Sequence, residues 1–315
     1  ALSIVFFRGL MAGVLVVGLL GFFSLARGLV SVASKDVTGK TIPKTRRGRL
    51  TGYTTAVSGV LLVLLGGILV AVVNDDSSRW VLALLLFFAA LLWVIAGGVF
   101  ATVRETPGAT GGGKDALREA FARLDLLRTD AAFRRFVWVR ALLVSTGLSA
   151  PFYLTLARES SGRVSLLAFF VLASGLASAL SSGFWGRYSD RSSRSVLVVA
   201  ALVASGLGTT VFFLDLLGTL SLFPWFIPVT YFFLSIAHGG VRVGRKTYLL
   251  DMASGERRTD YVAVSNSVIG AVLLLGGALG LLAPLIGSGG MILLLSTLGF
   301  FGALGGRGLP ETQSG

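Results

Sequence analysis

The chain has 315 residues, 54% of them hydrophobic, with a mean hydropathy of +0.83. It carries 28 lysines and arginines against 15 acids, a formal net charge of +13, one histidine and no cysteine. These counts exclude disulfides and thiolate metal sites and argue against a histidine-based metal centre.

The apolar residues are gathered in blocks, unlike the interrupted pattern of a soluble domain. A bilayer core about 30 Å thick takes about 20 apolar residues of helix. Nine runs qualify, at 2–33, 51–73, 80–103, 133–156, 164–185, 195–217, 222–249, 260–285 and 289–306. The reading is an all-α integral membrane protein.

The first run is much longer than the apolar part of a signal peptide and ends in the basic stretch Lys35–Arg49, so it reads as a membrane helix. Arg8, near its outer end, reads as an interface residue or an anion contact. After the third run, Pro107 and glycines 108 and 111–113 form a flexible start. The stretch KDALREAFARLDLLR then sets Leu117, Ala120, Phe121 and Leu124 on one helical face. It is either a helix on the membrane surface or a linker helix packed on the protein. The fourth run carries Ser145, Thr146, Ser149 and Tyr153, with a kink expected at Ser149–Ala150–Pro151. The seventh carries Thr230, Tyr231, Ser235, His238 and Arg242. His238 is the only histidine and sits near the middle of its run, where it carries a proton or is buried, neutral and bonded to a neighbouring helix. The hydroxyls line a substrate path or serve as ordinary helix–helix contacts.

Threading the nine runs alternately puts 23 of the 28 basic residues on one side and only Arg79, Arg158 and Arg163 on the other. Basic residues stay cytoplasmic, so the expected C-terminus is cytoplasmic and the membrane is the cell membrane. The positive balance thus reports topology and calls for no nucleic-acid partner. An internal repeat is also present. RRGRLTGYTTAVSGVLLVLLGG (46–67) aligns without gaps to ERRTDYVAVSNSVIGAVLLLGG (256–277) with Arg46 set against Arg257, which pairs Gly59 with Gly270 and Gly66 with Gly277. Upstream, Arg27 and Asp36 have the spacing of Arg242 and Asp251. Snorkelling explains the two arginines, and their matched placement also suits a gating pair. Such parallel repeats occur in secondary transporters. Copies in the second and eighth runs fit two six-helix halves, the first of which would lack three helices here.

One polar turn, GRYSDRSSRS at 186–195, resembles the signature loop of the Major Facilitator Superfamily, roughly G-x-x-x-D-R/K-x-G-R-R/K. Gly186, Asp190, Arg191 and Arg194 match it, while Ser193 and Ser195 replace a glycine and a basic residue. Arg47–Gly48–Arg49 opens the second run in a similar style. The resemblance implies a two-bundle fold in which the nine runs are helices four to twelve of twelve. The organisation would be a truncated bundle at 1–104, a central loop at 105–132, a six-helix bundle at 133–307 and a tail at 308–315. It further implies that Asp190 reaches the helix start near Gly48–Gly52 and that Arg194 pairs with Asp251, together forming a cytoplasmic latch. Ser145, Thr146, Ser149, Tyr153, Tyr231 and Ser235 would line the central cavity. SGVLLVLLGG (58–67) keeps the glycines of the family's antiporter signature and lacks its proline, which weakens a drug/proton antiport reading.

The expected function is secondary active transport of a small solute by alternating access, proton-coupled, without cofactor or enzymatic activity, in a lipid bilayer and as a monomer when full length. Sparse intramembrane charge favours an apolar or neutral substrate. No G-x-x-x-x-G-K-[ST] pattern occurs, which argues against drive by ATP. The alternatives are a non-transporting receptor or assembly protein and a lipid translocase on the same fold.

Overall fold

The computed structural model describes residues 9–41, 44–72, 79–104, 123–161, 166–223, 225–252 and 257–312. Among them the chain is helical throughout, with no strand. Six stretches are long and apolar enough to cross a membrane: Ala83–Ala101, Ala131–Ser160, Ala168–Arg191, Ser193–Leu216, Phe226–Met252 and Asp260–Arg307. Two shorter apolar helices cover Gly13–Ser24 and Val57–Ala71. This is an all-α, multi-pass membrane protein.

In chain order the helices are α1 (Gly9–Thr41), α2 (Lys44–Val72), α3 (Arg79–Ala101), α4 (Ala131–Leu143), α5 (Ser145–Leu148), α6 (Ala150–Ser161), α7 (Leu166–Arg191), α8 (Ser193–Leu216), α9 (Phe226–Met252), α10 (Arg257–Ala278) and α11 (Ala283–Arg307). Arg8 and most of the surface-helix segment expected after residue 114 lie outside the described residues. What is described of that segment is a 3-10 turn, Arg123–Asp125, and one helical turn, Leu126–Thr129.

Local chemistry explains where the helices start and break. Asp130 caps α4 by accepting from Phe133 N at 2.9 Å, and its carboxylate also accepts from the Tyr261 hydroxyl on α10. Pro151 has no N–H to offer the preceding turn. The helix there is interrupted at Val144 and Ser149, and hydroxyls serve nearby carbonyls: Thr146 donates to Leu143 O at 2.9 Å and Ser149 to Thr146 O at 3.0 Å. The apolar stretch Asp260–Arg307 is 48 residues long. As one straight helix it would reach about 72 Å. It breaks instead at the 3-10 turn Leu279–Leu282 and at Gly287, whose φ of 71° suits glycine.

The chain divides into two compact units, Ala1–Ser58 with Val72–Gly111, and Gly59–Ala71 with Gly112–Gly315. In the first, α1 and α3 touch through an edge-to-face pair of Phe23 and Trp93, 5.5 Å between centroids. Most described side chains of these two helices are exposed, as expected of helices that face lipid.

The second unit holds the core. α8 packs along α11 and α9, α7 along α9, and α4 along α11 and α10. One apolar cluster joins Phe133, Phe136, Leu197, Tyr248, Tyr261 and Ala303; another joins Tyr153, Phe170, Val211, Ile227 and Ile292. Glycines set the closest approaches, since small residues let membrane helices meet backbone to backbone. Gly240 of α9 faces Trp185 of α7 and Ala200 of α8, and Gly66 of α2 lies against the backbone of Leu172 on α7. The Trp185 indole donates to Ile236 O at 2.8 Å, tying α7 to α9.

The aligned repeat copies fall on α2 and α10, and the upstream Arg–Asp pairs on α1 and α9. Each copy therefore occupies two consecutive helices in the same order. Their surroundings differ: Gly59 and Gly66 pack against α7, whereas Gly270 and Gly277 face open space.

Candidate functional site

Gly186, Asp190 and Arg191 occupy the last turns of α7, and Ser192 then caps α8 by accepting from Ser195 N at 3.0 Å. The polar decapeptide is thus the junction of two helices. Asp190 and Arg191 are exposed. Arg194, in the first turn of α8, pairs with Glu311 at 3.2 Å and donates to Leu309 O at 3.1 Å. Ser192 donates to the same carboxylate, 3.1 and 3.0 Å from its two oxygens. The expected partner of Arg194 was Asp251, and the structure directs the arginine to the tail instead. Beyond Arg307 the chain runs under the α7–α8 junction, with Leu309 buried and Pro310 O accepting from Tyr248 at 2.9 Å. Asp251, exposed near the end of α9, accepts from Ser193 at 3.4 Å.

Of the expected gating residues in the first unit, Arg27 is exposed on α1. Asp36 lies on α1 and Arg47 and Arg49 on α2, with their side chains outside the described residues.

The hydroxyls of the interrupted helix turn into the second unit. Ser145, Thr146, Ser149 and Tyr153 are all buried, and with Ser205 of α8 and Ser296 of α11 they surround a small void. The room it leaves for the centre of a water molecule is about 10 Å³, enough for one water. Ser145 Oγ, Tyr153 Oη and Ser205 Oγ have no protein partner there. As placed, these groups form a polar interior within the unit.

A second polar feature is a stripe along α9. Tyr231, Ser235, His238, Arg242 and Arg245 follow at steps of four, three, four and three residues, which is one helix face. Tyr231 meets Tyr153, with ring centroids 6.2 Å apart. His238 Nδ1 lies 3.1 Å from Thr146 Oγ1. The threonine's single proton goes to Leu143 O, so the imidazole donates from Nδ1–H and keeps Nε2 as an acceptor. Gly147 makes room for the ring: a Cβ there would stand 3.0 Å from His238 Cε1.

A third arginine comes from α4. Arg140, the tenth residue of α4, forks onto α10: Nη1 donates to Ser265 Oγ and Nη2 to Asn266 Oδ1 at 2.9 Å, while its buried Nε has no acceptor. Arg245 is half-buried and Arg242 exposed. None of the three forms an ion pair with a described residue. At 1.5 Å per residue, Arg140 lies about 13 Å along the chain from Ala131 and Arg242 about 15 Å from Met252. All three lie inside helices, within the apolar runs 133–156 and 222–249 read from the sequence. Arg140, Arg245, Ser265 and Asn266 escaped the sequence reading, although the His238–Arg242–Arg245 spacing was a visible signal.

At the other end of the unit two acids line one cavity. Glu159 accepts from Ser288 at 3.0 Å, and Asp215 lies against Gly289, just past the break at Gly287. Among the described residues no group of three or more His, Cys, Asp or Glu is placed to hold a metal ion. Comparison of the chain with models of protein families, with curated proteins and with solved structures found no match.

Proposed function

We propose that this chain is a secondary active transporter of the Major Facilitator type, moving a small solute across the cell membrane by alternating access. In this reading α4 to α11 form the C-terminal half, α1 to α3 belong to the N-terminal half, and the C-terminus is cytoplasmic. The observation that carries it is the polar face of α9. Ionisable side chains within a membrane span are costly and mark a solute or proton path by default, and five polar groups share this one face. In this reading His238, which donates to Thr146 and keeps Nε2 as an acceptor, is the candidate coupling group. The α7–α8 junction supports the same reading. Its Arg194–Glu311 pair is partly exposed, and such contacts are worth about 0–1 kcal/mol. A contact of that strength rearranges readily within the second unit.

The test is solute counterflow by the full-length protein in proteoliposomes loaded with mixed solute pools. Uptake driven by an outward solute gradient, slowed by Arg194→Ala and stripped of its pH dependence by His238→Gln, is the expected result. A folded protein with no counterflow for any pool would be a non-transporting membrane protein, and the reading would fall.

A further inference from the structure

The arginines at the cytoplasmic-side ends of α4 and α9 are unusual for what they lack. Arg140, Arg242 and Arg245 come from two helices of one unit: Thr146 meets His238 at 3.1 Å and Phe136 stacks on Tyr248 at 5.0 Å between centroids, so Arg140 and Arg245 fall between two contacts that join the same stretches of chain, with Arg242 one turn from Arg245. His238 precedes Arg242 and Arg245 by four and seven residues, on the same face of α9. A buried or half-buried cation within a span normally finds a carboxylate. Here the only described partners are neutral, Ser265 and Asn266 on Arg140. Snorkelling accounts for an exposed side chain such as Arg242. It does not account for Arg140, half-buried and held by its fork, or for Arg245 half-buried beside it.

Three positive charges with no negative one among their described neighbours form an electrostatic half-site. Its missing half must be anionic. Guanidinium groups bind planar or tetrahedral oxyanions through paired N–H donors, and Arg242 and Arg245 commit none of theirs to a described residue. Asn266 offers an amide beside them. His238 Nε2 offers an acceptor, which suits an anion that also carries a hydroxyl or an acid proton.

We infer that Arg140, Arg242 and Arg245 form a binding site for an oxyanion, a carboxylate or phosphate group, and that the transported solute is therefore an anion. The second clause rests on the transport reading; the first stands without it. The inference replaces the neutral solute expected from the sequence, where the charge inside the spans was undercounted.

The experiment uses the full-length protein in phosphatidylcholine nanodiscs and three radiolabelled probes: inorganic phosphate, succinate and neutral glycerol. Phosphate or succinate should bind saturably and weaken with added salt, and glycerol should not bind. Arg242→Gln and Arg245→Gln should each weaken oxyanion binding about tenfold or more, the loss of a charge-assisted contact. Arg245→Lys, which keeps the charge and loses the fork, should fall between. Arg242 is exposed, so its variant tests the site even if the Arg245 variants fail to fold. Absence of saturable oxyanion binding, or binding unchanged in both glutamine variants, overturns the inference. Adding phosphatidylglycerol to the discs separates two sources of the same chemistry. Displacement of the soluble probe makes a lipid phosphate the occupant, which keeps the site and overturns the anionic solute; no displacement supports a free anion. Oxyanion binding without counterflow would uphold the site and sink the transport reading, whereas counterflow of a neutral solute without oxyanion binding would do the reverse.

Discussion

Replacing Gly240 by alanine should destabilise the second unit more than any substitution of similar size on its lipid-facing surface. A Cβ at this position would lie 2.7 Å and 2.9 Å from Trp185 Cε2 and Cδ2 and 2.8 Å from Ala200 Cβ. Carbon pairs settle at about 3.5–4.0 Å, so α9 would have to withdraw by roughly 1 Å from two helices at once. The indole cannot swing aside cheaply, because it is buried and its N–H is committed to Ile236 O. Overpacking of this kind costs about 1–3 kcal/mol. The control is Gly206→Ala on α8, where a Cβ meets nothing within 4 Å and alanine is the better helix former by up to about 1 kcal/mol. Thermal unfolding followed by gel filtration in detergent should show a lowered midpoint for Gly240→Ala and an unchanged or raised one for Gly206→Ala. Equal midpoints for Gly240→Ala and the wild type would refute the packing argument.

Two further outcomes follow from polar contacts. Thr146→Val should lower the same midpoint, because His238 Nδ1–H loses its acceptor in a buried setting at a cost of about 1–3 kcal/mol; Thr146→Ser should restore it. Glu311→Ala should leave the midpoint nearly unchanged while hydrogen exchange rises at residues 309–312, since the carboxylate takes bonds from both Arg194 and Ser192.

The sequence made the membrane class legible because its apolar runs match the bilayer in length, and the α7–α8 junction was legible because Ser192 and its neighbours interrupt two of them. The hydroxyls of residues 145–153 were legible as a group, but which way they turn depends on α8 and α11, distant in sequence. Arg194 shows the same limit in sharper form. Its charge requires a partner, but Asp251 and Glu311 are both acids on the same side, and only the path of the chain after Arg307 decides between them. Arg140 and Arg245 were hidden for another reason. Both fall inside the apolar runs 133–156 and 222–249, but counting charges for sidedness uses only their sign, and what Arg140 touches depends on α10, distant in sequence.

Trp185 makes the second unit optically addressable. The protein has five tryptophans. Trp80, Trp93, Trp138 and Trp225 are largely exposed, whereas Trp185 is 5% exposed and hydrogen-bonded across α7 and α9. With the other four replaced by phenylalanine, its emission would report from a single point between two helices. Sliding of α9 against α7 would break the indole's bond and change its surroundings, so movement in this unit would register as a change in colour and quenching without any attached dye.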